Sequence, residues 1–312
     1  MRPVILVTEP AYFKSVMRRL SAIGRVVLGS PDRRDLERRI PRCDVALIRV
    51  ETALDRALIE RARRLRLIAS ATTGINHIDA DAARQRGVRI LHLHGAHTRP
   101  TAEHAFALLL ALARRIPAAH ESMRAGRWDR ARWIGRQLAG KNIGVIGVGR
   151  IGRTVARMAH AFGMNVLAYD PYVPRTAAPF ARWRRTLGDL LRPSHVVTLH
   201  AALTAETRGM IGRRQFDQMR PGSLLVNTAR GRIVDEAALL AALRSGRIAG
   251  AAIDVFSTEP LPRSSPLRRY ARRRDNLILT PHLGASTAEA VQAAAVEMAE
   301  GIEMFLKRSG LV

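Results

Sequence analysis

Cysteine is almost missing: the 312 residues contain one, Cys43. No disulfide can form within the chain, which points to a reducing compartment such as the cytoplasm. The thiol itself reads as a small buried side chain beside a strand, not a nucleophile. Long apolar runs are missing too. None nears the roughly 20 residues that a membrane-spanning helix needs, and the opening MRPVILVTEP is broken by Pro10 too soon for a secretory leader. Acidic residues are few, 26 against 52 basic ones, for a net charge of +26. Such an excess invites a polyanion as partner. Yet lysine is nearly absent as well: only Lys14, Lys141 and Lys307 occur, and every other basic residue is arginine. The arginines are scattered through all segments, with no basic tail, and aromatics to interleave with them make up 4%. That pattern resembles a coding bias, so no specific nucleic-acid partner is expected. The densest group, Arg268, Arg269, Arg272, Arg273 and Arg274, reads as a solvated loop or helix face. No metal site is read anywhere in the chain.

What is present is most informative at KNIGVIGVGRIGRTVARMAHAFGMNVLAYDPY, residues 141–172. An apolar run at 143–146 is short enough for a buried parallel strand. Gly147-Val148-Gly149-Arg150-Ile151-Gly152 follows, a G-x-G-x-x-G turn. Val155, Met158, Ala159 and Phe162 then recur at helical spacing, a second apolar run occupies 166–169, and Asp170 closes it. Strand, glycine turn, helix, strand and acid together form the dinucleotide-binding βαβ unit. Gly147 permits the tight turn, Gly149 lets a pyrophosphate approach the backbone, and Gly152 lets helix and strand pack closely. Free N–H groups at the helix start, with the helix dipole, face the diphosphate. Asp170 is placed to accept hydrogen bonds from the adenosine ribose and to repel a 2′-phosphate, which predicts NAD over NADP.

The chain is long enough for two domains. Apolar runs at 4–7, 26–28, 45–48, 67–71 and 90–93 alternate with amphipathic stretches at 12–21, 55–64 and 79–86, predicting a parallel sheet without a glycine fingerprint of its own. Residues 72–79, TTGINHID, follow a strand end, where ligands sit in open α/β sheets. Asp79 reads as a helix cap. On spacing alone Gly74 serves equally as a plain turn residue and as a ligand-facing amide. Residues 100–116 read as one long helix with Phe106, Leu109, Leu110, Ala113 and Ile116 on one face. The segment 126–140, with Trp128 and Trp133, reads as irregular and as a candidate dimer arm. Further strands are expected at 196–199, 223–226, 249–253 and 277–280, with a helix at 235–244. Ser286-Thr287-Ala288-Glu289 is expected as a capping box opening a helix to about residue 307.

Polar residues cluster just after these later strands. Arg230, Asp254 and His282 each follow one, and Glu259 lies shortly beyond Asp254. In a doubly wound sheet such ends share the edge that carries the glycine turn. Oxidation of a hydroxyl by NAD needs a base, a cation for an anionic substrate and a hydride path. His282 suits the base. Glu259 beside it would favour the imidazolium form, and Arg230 offers a planar fork for a carboxylate. Taken singly, each has an ordinary alternative: an exposed arginine, a loop carboxylate, a core histidine.

At these residues the chain resembles the D-2-hydroxyacid dehydrogenase family, most closely its 3-phosphoglycerate dehydrogenases. The matching stretches are TTGINHID at 72–79, RPTAEHAFALLLAL at 99–112, GVIGVGRIG at 144–152, MRPGSLLVNTARGRIVDEAALLAAL at 219–243, AGAAIDVFSTEP at 249–260 and TPHLGAST at 280–287. The resemblance implies two doubly wound parallel-sheet domains. A Rossmann-type NAD-binding domain, residues 98–284, would be inserted in a flavodoxin-like substrate domain made of 1–97 and 285–312. It implies a D-2-hydroxyacid dehydrogenase or 2-oxo acid reductase acting with NAD on a small substrate, and a homodimer packed through the nucleotide domains. Arg230 would bind the substrate carboxylate and 2-oxygen, and Glu259 would pair with His282, the acid/base. Asp254 would hold the nicotinamide carboxamide. Arg150, Ile151, His200, Thr228 and Ala229 would complete the cofactor site. Thr73 and Gly74 amides would receive the substrate carboxylate, with Arg49 and His97 as further substrate contacts. The chain departs from the phosphoglycerate dehydrogenases in carrying His97 where asparagine is usual, Ala202 where a proline is common, and Val50 after Arg49 where serine is often found. A non-catalytic NAD(H) sensor of the corepressor kind shares this fold and the Arg–Glu–His set, and is the alternative reading.

Overall fold

A computed structural model describes residues 2–93 and 95–311. They gather into two compact units, Met1–His97 with Ser286–Val312, and Thr98–Ala285.

The first unit is built on five parallel strands: β1 (Val4–Val7), β2 (Arg25–Leu28), β3 (Val45–Ile48), β4 (Leu67–Ser70) and β5 (Arg89–His92), in the order β2-β1-β3-β4-β5. This is the flavodoxin-like order. The three inner strands are buried throughout, as near-continuous Val/Ile/Leu runs require when helices cover both faces. Edge strands β2 and β5 are less buried and carry the arginines. Aspartates start the helices. Asp32, Asp55 and Asp79 each accept backbone N–H bonds at the first turn of the helices Arg33–Arg39, Arg56–Arg61 and Ala80–Gln85. The last helix, Ala288–Arg308, returns to this unit and buries Ala294, Ala295, Met298, Ala299, Ile302 and Leu306 in one core with β1, β3 and β4. Its cap is Thr287, not Ser286. Thr287 has the extended backbone of a cap residue, and its hydroxyl accepts from Ala290 N at 3.1 Å, so the expected Ser286–Glu289 box does not form.

The second unit carries seven parallel strands: β6 (Asn142–Ile146), β7 (Asn165–Tyr169), β8 (Arg182–Trp183), β9 (Val196–Leu199), β10 (Ser223–Asn227), β11 (Ile248–Ile253) and β12 (Leu277–Leu279). Their order, β12-β11-β10-β9-β6-β7-β8, is that of a Rossmann sheet with one added strand, and it reverses between β6 and β9. The expected helix at 100–116 is shorter, Thr98–Ala113, and a second helix, Ile116–Arg124, follows it. Pro117 explains the break, since it has no N–H to continue the ladder. Arg115 turns into the left-handed region at φ 56°, and the freed Ala113 carbonyl accepts instead from Arg136 N at 2.8 Å. The first of these helices packs on β10, β11 and the helix Arg150–Ala161, and its large apolar side chains are mostly consumed inside the unit. Several short elements carried no sequence signal. β8 and the helices Leu187–Leu191, Arg213–Gln218 and Pro266–Ala271 are too short to show a period.

Arg268 and Arg269 lie on the exposed face of Pro266–Ala271, and Arg272, Arg273 and Arg274 are exposed just beyond it. Cys43 is buried just before β3, its Sγ 3.2 Å from the Ile40 carbonyl, and burial pushes the thiol up to about 12. It is inert at neutral pH. No helix among the described residues is long and apolar enough to cross a membrane.

Candidate active site

Because the second sheet is wholly parallel, all its strands end on one edge. Along that edge, from β12 to β7, lie residues 280–284, 254–259, 227–230, His200, the glycine turn and Asp170. Five strand intervals make a row of roughly 24 Å, suited to an elongated ligand laid across the point where strand order reverses.

At β6 the turn is tight because Gly147 sits at φ +85°, and a side chain there would collide with Ala201 after β9. A Cβ on Gly152 would overlap the Gly147 carbonyl oxygen, so helix and turn are pressed together. Gly149 is the opposite case: an added Cβ would meet nothing within 4 Å. Gly149 also caps the helix Arg150–Ala161 without any side-chain bond to its first N–H groups. An open face over free backbone donors is the cradle a diphosphate needs. Arg150 is exposed at the helix start, and Ile151 is half-buried on the core behind it. Asp170 is tied into the same turn. Its Oδ2 accepts from Val148 N at 2.8 Å and its Oδ1 from Tyr172 N and Val173 N, at 2.9 and 3.1 Å. Further along, His200 Nε2 pairs with Thr198 Oγ1 at 2.9 Å, and burial pushes the imidazole down to about 3, so the ring is neutral. His200 Nδ1 and Thr228 Oγ1 are buried with no partner among the described residues. Two such polar atoms on this edge fit a polar ligand that completes them.

The β10–β12 ends carry the charged groups. Gly231 lies so close to Phe256 that a Cβ would overlap its backbone, which locks the loop bearing Arg230 onto the loop bearing Glu259. Ala229 N donates to Asn227 Oδ1 at 3.0 Å, and Arg230 Nη1 donates to the Ala229 carbonyl at 2.6 Å. Burial lowers the Arg230 guanidinium from its ordinary value while the Glu259 charge raises it. Arginine remains a cation through such shifts. His282 Nδ1 lies 2.8 Å from Glu259 Oε2, and Glu259 Oε1 accepts from Phe256 N at 2.8 Å. Burial pushes the Glu259 carboxyl up, but the bonds from His282 and Phe256 N–H and the charges of His282 and Arg230 outweigh it, and the carboxyl ends below its usual range.

His282 itself has φ 55°, unusual for a residue with a side chain. Asp254 holds it there. The Asp254 carbonyl accepts from His282 N at 2.9 Å, Oδ1 accepts from Leu283 N at 2.8 Å, and Oδ2 accepts from Gly284 N at 2.9 Å. Thr280 Oγ1 and His104 Nε2 complete Oδ1 at 2.6 and 3.2 Å. Burial raises the Asp254 carboxyl, while the bonds from His104, Thr280 and Leu283 and the His104 charge bring it below normal. With 0% exposure, Asp254 is a structural anchor of the turn that carries His282. His104 and Thr280 were not picked out from the sequence. The available signal for His104 was a titratable residue next to the buried apolar ones of the helix Thr98–Ala113.

The remaining candidates belong to the first unit. Arg49 follows β3, Thr73 is exposed and Gly74 half-buried after β4, and His97 is half-buried at the end of the unit. The 72–77 loop is held by Thr72 Oγ1 donating to the Gly74 carbonyl at 2.8 Å and by Ser70 Oγ bonded to Thr72 and His77 at 2.8 and 3.0 Å. Among the described residues no cluster of three or more His, Cys, Asp or Glu is arranged to hold a metal.

The close packing at Gly231 makes a direct prediction. Gly231→Ala is expected to destabilise the protein by about 1–3 kcal/mol in denaturant unfolding. A variant of unaltered stability would show that the two loops are not locked together.

Residues 106–284 match the description "D-isomer specific 2-hydroxyacid dehydrogenase, NAD binding domain". The chain is 42% identical over 301 residues to the D-3-phosphoglycerate dehydrogenase of Archaeoglobus fulgidus, which covers 96% of this chain and 56% of that one. It is 40% identical over 268 residues to the hydroxypyruvate reductase of Thermotoga maritima, 86% of each chain. The chain thus spans little more than half the length of the phosphoglycerate dehydrogenases it matches. Among solved structures, the D-lactate dehydrogenase of Aquifex aeolicus complexed with NAD and lactic acid superimposes with TM-score 0.88 at 28% identity, over 97% of this chain and 95% of that one. The seven-stranded unit carries an NAD-binding domain, and NAD is the cofactor the glycine cradle fits.

Proposed function

The chain belongs to the D-isomer specific 2-hydroxyacid dehydrogenase family, and on that premise we propose that it interconverts a small 2-oxo acid and its D-2-hydroxy acid with NAD(H). The observation that carries this reading is the Glu259–His282 bond, with Arg230 alongside, on the sheet edge that holds the glycine cradle. The 146–152 turn with Arg150 and Ile151 would hold the diphosphate, Asp170 the ribose, and His200, Thr228 and Ala229 the stretch between diphosphate and nicotinamide. Asp254 Oδ2, which has one donor, is the atom left to meet the carboxamide. In the first unit we assign substrate contacts to Arg49, Thr73, Gly74 and His97.

When bound, NADH supplies the hydride. Arg230 clamps the substrate carboxylate with its fork and polarises the 2-oxygen. With Nδ1 held by Glu259, His282 presents Nε2 to that oxygen and gives it a proton; in the oxidative direction the same atom takes the proton away. NADH consumption across glyoxylate, hydroxypyruvate, 3-phosphohydroxypyruvate and bulkier 2-oxo acids tests the proposal. Turnover of at least one supports it. Tight NADH binding without any turnover would favour the sensor instead.

Cofactor choice follows from the Asp170 end. The Asp170 carboxylate accepts from Tyr172 N, and the Tyr172 hydroxyl bonds the Glu206 carboxylate, so acids stand at both ends of this residue. A 2′-phosphate there would face like charge. We expect a clear preference for NADH over NADPH in kcat/KM, narrowed in Asp170→Ala; equal efficiency with both in the unaltered protein would contradict it.

The same reading includes a homodimer and a cytoplasmic location, the latter suited to a lone buried thiol. The support for assembly lies in the segment after the first long helix of the NAD-binding unit. Trp128 is 74% and Ile134 78% exposed, with Ile116 and Met123 also exposed nearby in sequence. Solvent-exposed aromatic and aliphatic side chains in one stretch favour a partner surface. Light scattering at micromolar protein is expected to give the mass of a dimer, and a monomer mass would contradict it.

A further inference from the structure

The strand order of the first unit reverses between β1 and β3, and in open α/β sheets a ligand crevice lies beyond the carboxyl ends at such a reversal. The residues that leave these two strands, 8–13 and 49–54, include one basic residue, Arg49, and two acidic ones, Glu9 and Glu51. Their geometry is built, not incidental. Buried Thr52 donates its hydroxyl to Glu9 Oε1 at 2.9 Å and lies 2.8 Å from Thr8 Oγ1, and the Thr8 hydroxyl also bonds the Glu9 carboxylate. Glu9 is thereby fixed at the end of β1. Arg49 is spoken for on two sides. Its guanidinium carbon lies 4.0 Å from the centre of the Tyr12 ring, and Nη1 lies 3.5 Å from Glu51 Oε1. Burial pushes the Glu9 carboxyl up, and it ends above its usual range although the Thr8 and Thr52 bonds and the Arg49 charge pull it down; the Glu51 charge adds to the rise. Glu9, Glu51 and Arg49 therefore act on one another.

A phosphate ester brings nearly two negative charges and needs cations whose charge is uncompensated. Here the Arg49 guanidinium already has the Glu51 carboxylate 3.5 Å from Nη1, and its buried Nε, with no partner among the described residues, is left as a donor. Like charges brought together at a binding surface oppose binding. A hydroxyl meets no such penalty, because it can donate to a carboxylate and accept from the guanidinium. We infer that the 2-oxo acid used by this protein carries an uncharged, hydroxyl-bearing tail, and that Glu9 and Glu51 beside Arg49 are the residues that turn away a phosphorylated one. The inference rests on the proposed 2-oxo acid reductase activity and on the assignment of Arg49 to the substrate.

The test compares hydroxypyruvate with its phosphate ester, 3-phosphohydroxypyruvate, in kcat/KM at low salt, for the unaltered protein, Glu51→Ala and Glu9→Gln. Glu51 is exposed, so its truncation leaves the fold alone; Glu9→Gln removes charge while keeping shape. The unaltered protein is expected to favour hydroxypyruvate by about tenfold or more, and each variant to shift the ratio toward the phosphate ester. A preference for the phosphate ester, or a ratio unmoved in both variants, would overturn the inference while leaving the reductase reading intact. Calorimetric titration of the NADH-loaded protein with D-glycerate and with 3-phospho-D-glycerate separates the two. Tighter binding of glycerate without turnover of any 2-oxo acid would uphold the tail preference and sink the reductase. Equal or reversed binding would sink the tail preference.

Discussion

His282→Ala is expected to lower kcat for 2-oxo acid reduction by about 10²–10⁴-fold, the usual contribution of a general acid, while NADH binding survives. In the proposed mechanism, negative charge grows on the carbonyl oxygen as hydride arrives at the 2-carbon, and the His282 imidazolium quenches it. The ring is positioned from two sides. Glu259 fixes Nδ1, and the Asp254 carboxylate and carbonyl fix the left-handed turn that carries the residue. The cofactor cradle lies four strands away from β12, at β6, so removing the ring should leave it intact. Near-full turnover in the variant would remove His282 from the mechanism. The pH dependence adds a sign. The Glu259 carboxyl is held below its usual value of 4.5, so the stability its interactions contribute is complete above that pH and is lost as pH falls through the lower folded value. Above that value the carboxylate is charged and holds the ring at Nδ1. Glu259→Gln keeps the shape but loses the charged acceptor, and kcat for 2-oxo acid reduction should fall, though less than in His282→Ala.

Arg230→Ala is expected to act on both kinetic constants. In the proposed mechanism the guanidinium clamps the substrate carboxylate in the ground state, so KM should rise. There it also meets the oxygen on which charge develops, and removing one such donor typically costs about 10²–10³-fold in kcat. Its burial strengthens the effect, because few waters compete for the fork. Arg230→Lys should recover little, since an ammonium cannot reproduce two parallel bonds. A change in KM alone would mean that Arg230 binds substrate without touching the reacting oxygen.

Both variants probe residues that were visible in the sequence for a simple reason. Buried parallel strands are short apolar runs, and a polar residue that directly ends one is conspicuous. Arg230, Asp254 and His282 stand out in this way. The two sheets were legible on the same grounds, because Val/Ile/Leu runs between amphipathic stretches leave few alternatives to βα alternation. What stayed hidden depends on contacts distant in sequence. His104 sits in a helix that reads as apolar, and nothing local shows that it reaches Asp254 at 3.2 Å, 150 residues away. The left-handed turn at His282 has no glycine to announce it; it exists because Asp254 collects the N–H groups of 282–284. The break at Arg115 was legible in principle through Pro117, but the apolar periodicity ran past it. Glu9 and Glu51 also follow strands, but they come from different loops, and nothing local shows that the ends of β1 and β3 lie side by side.

The measurement that bears most directly on hydride transfer uses NADH deuterated at its reactive carbon, a 2-oxo acid that the protein turns over, and mass and chiral analysis of the product. The mechanism predicts a D-2-hydroxy acid with one deuterium on its 2-carbon, formed by the unaltered protein and nearly abolished in His282→Ala. A product of the opposite configuration, a product without deuterium, or equal product from the His282→Ala protein would contradict it.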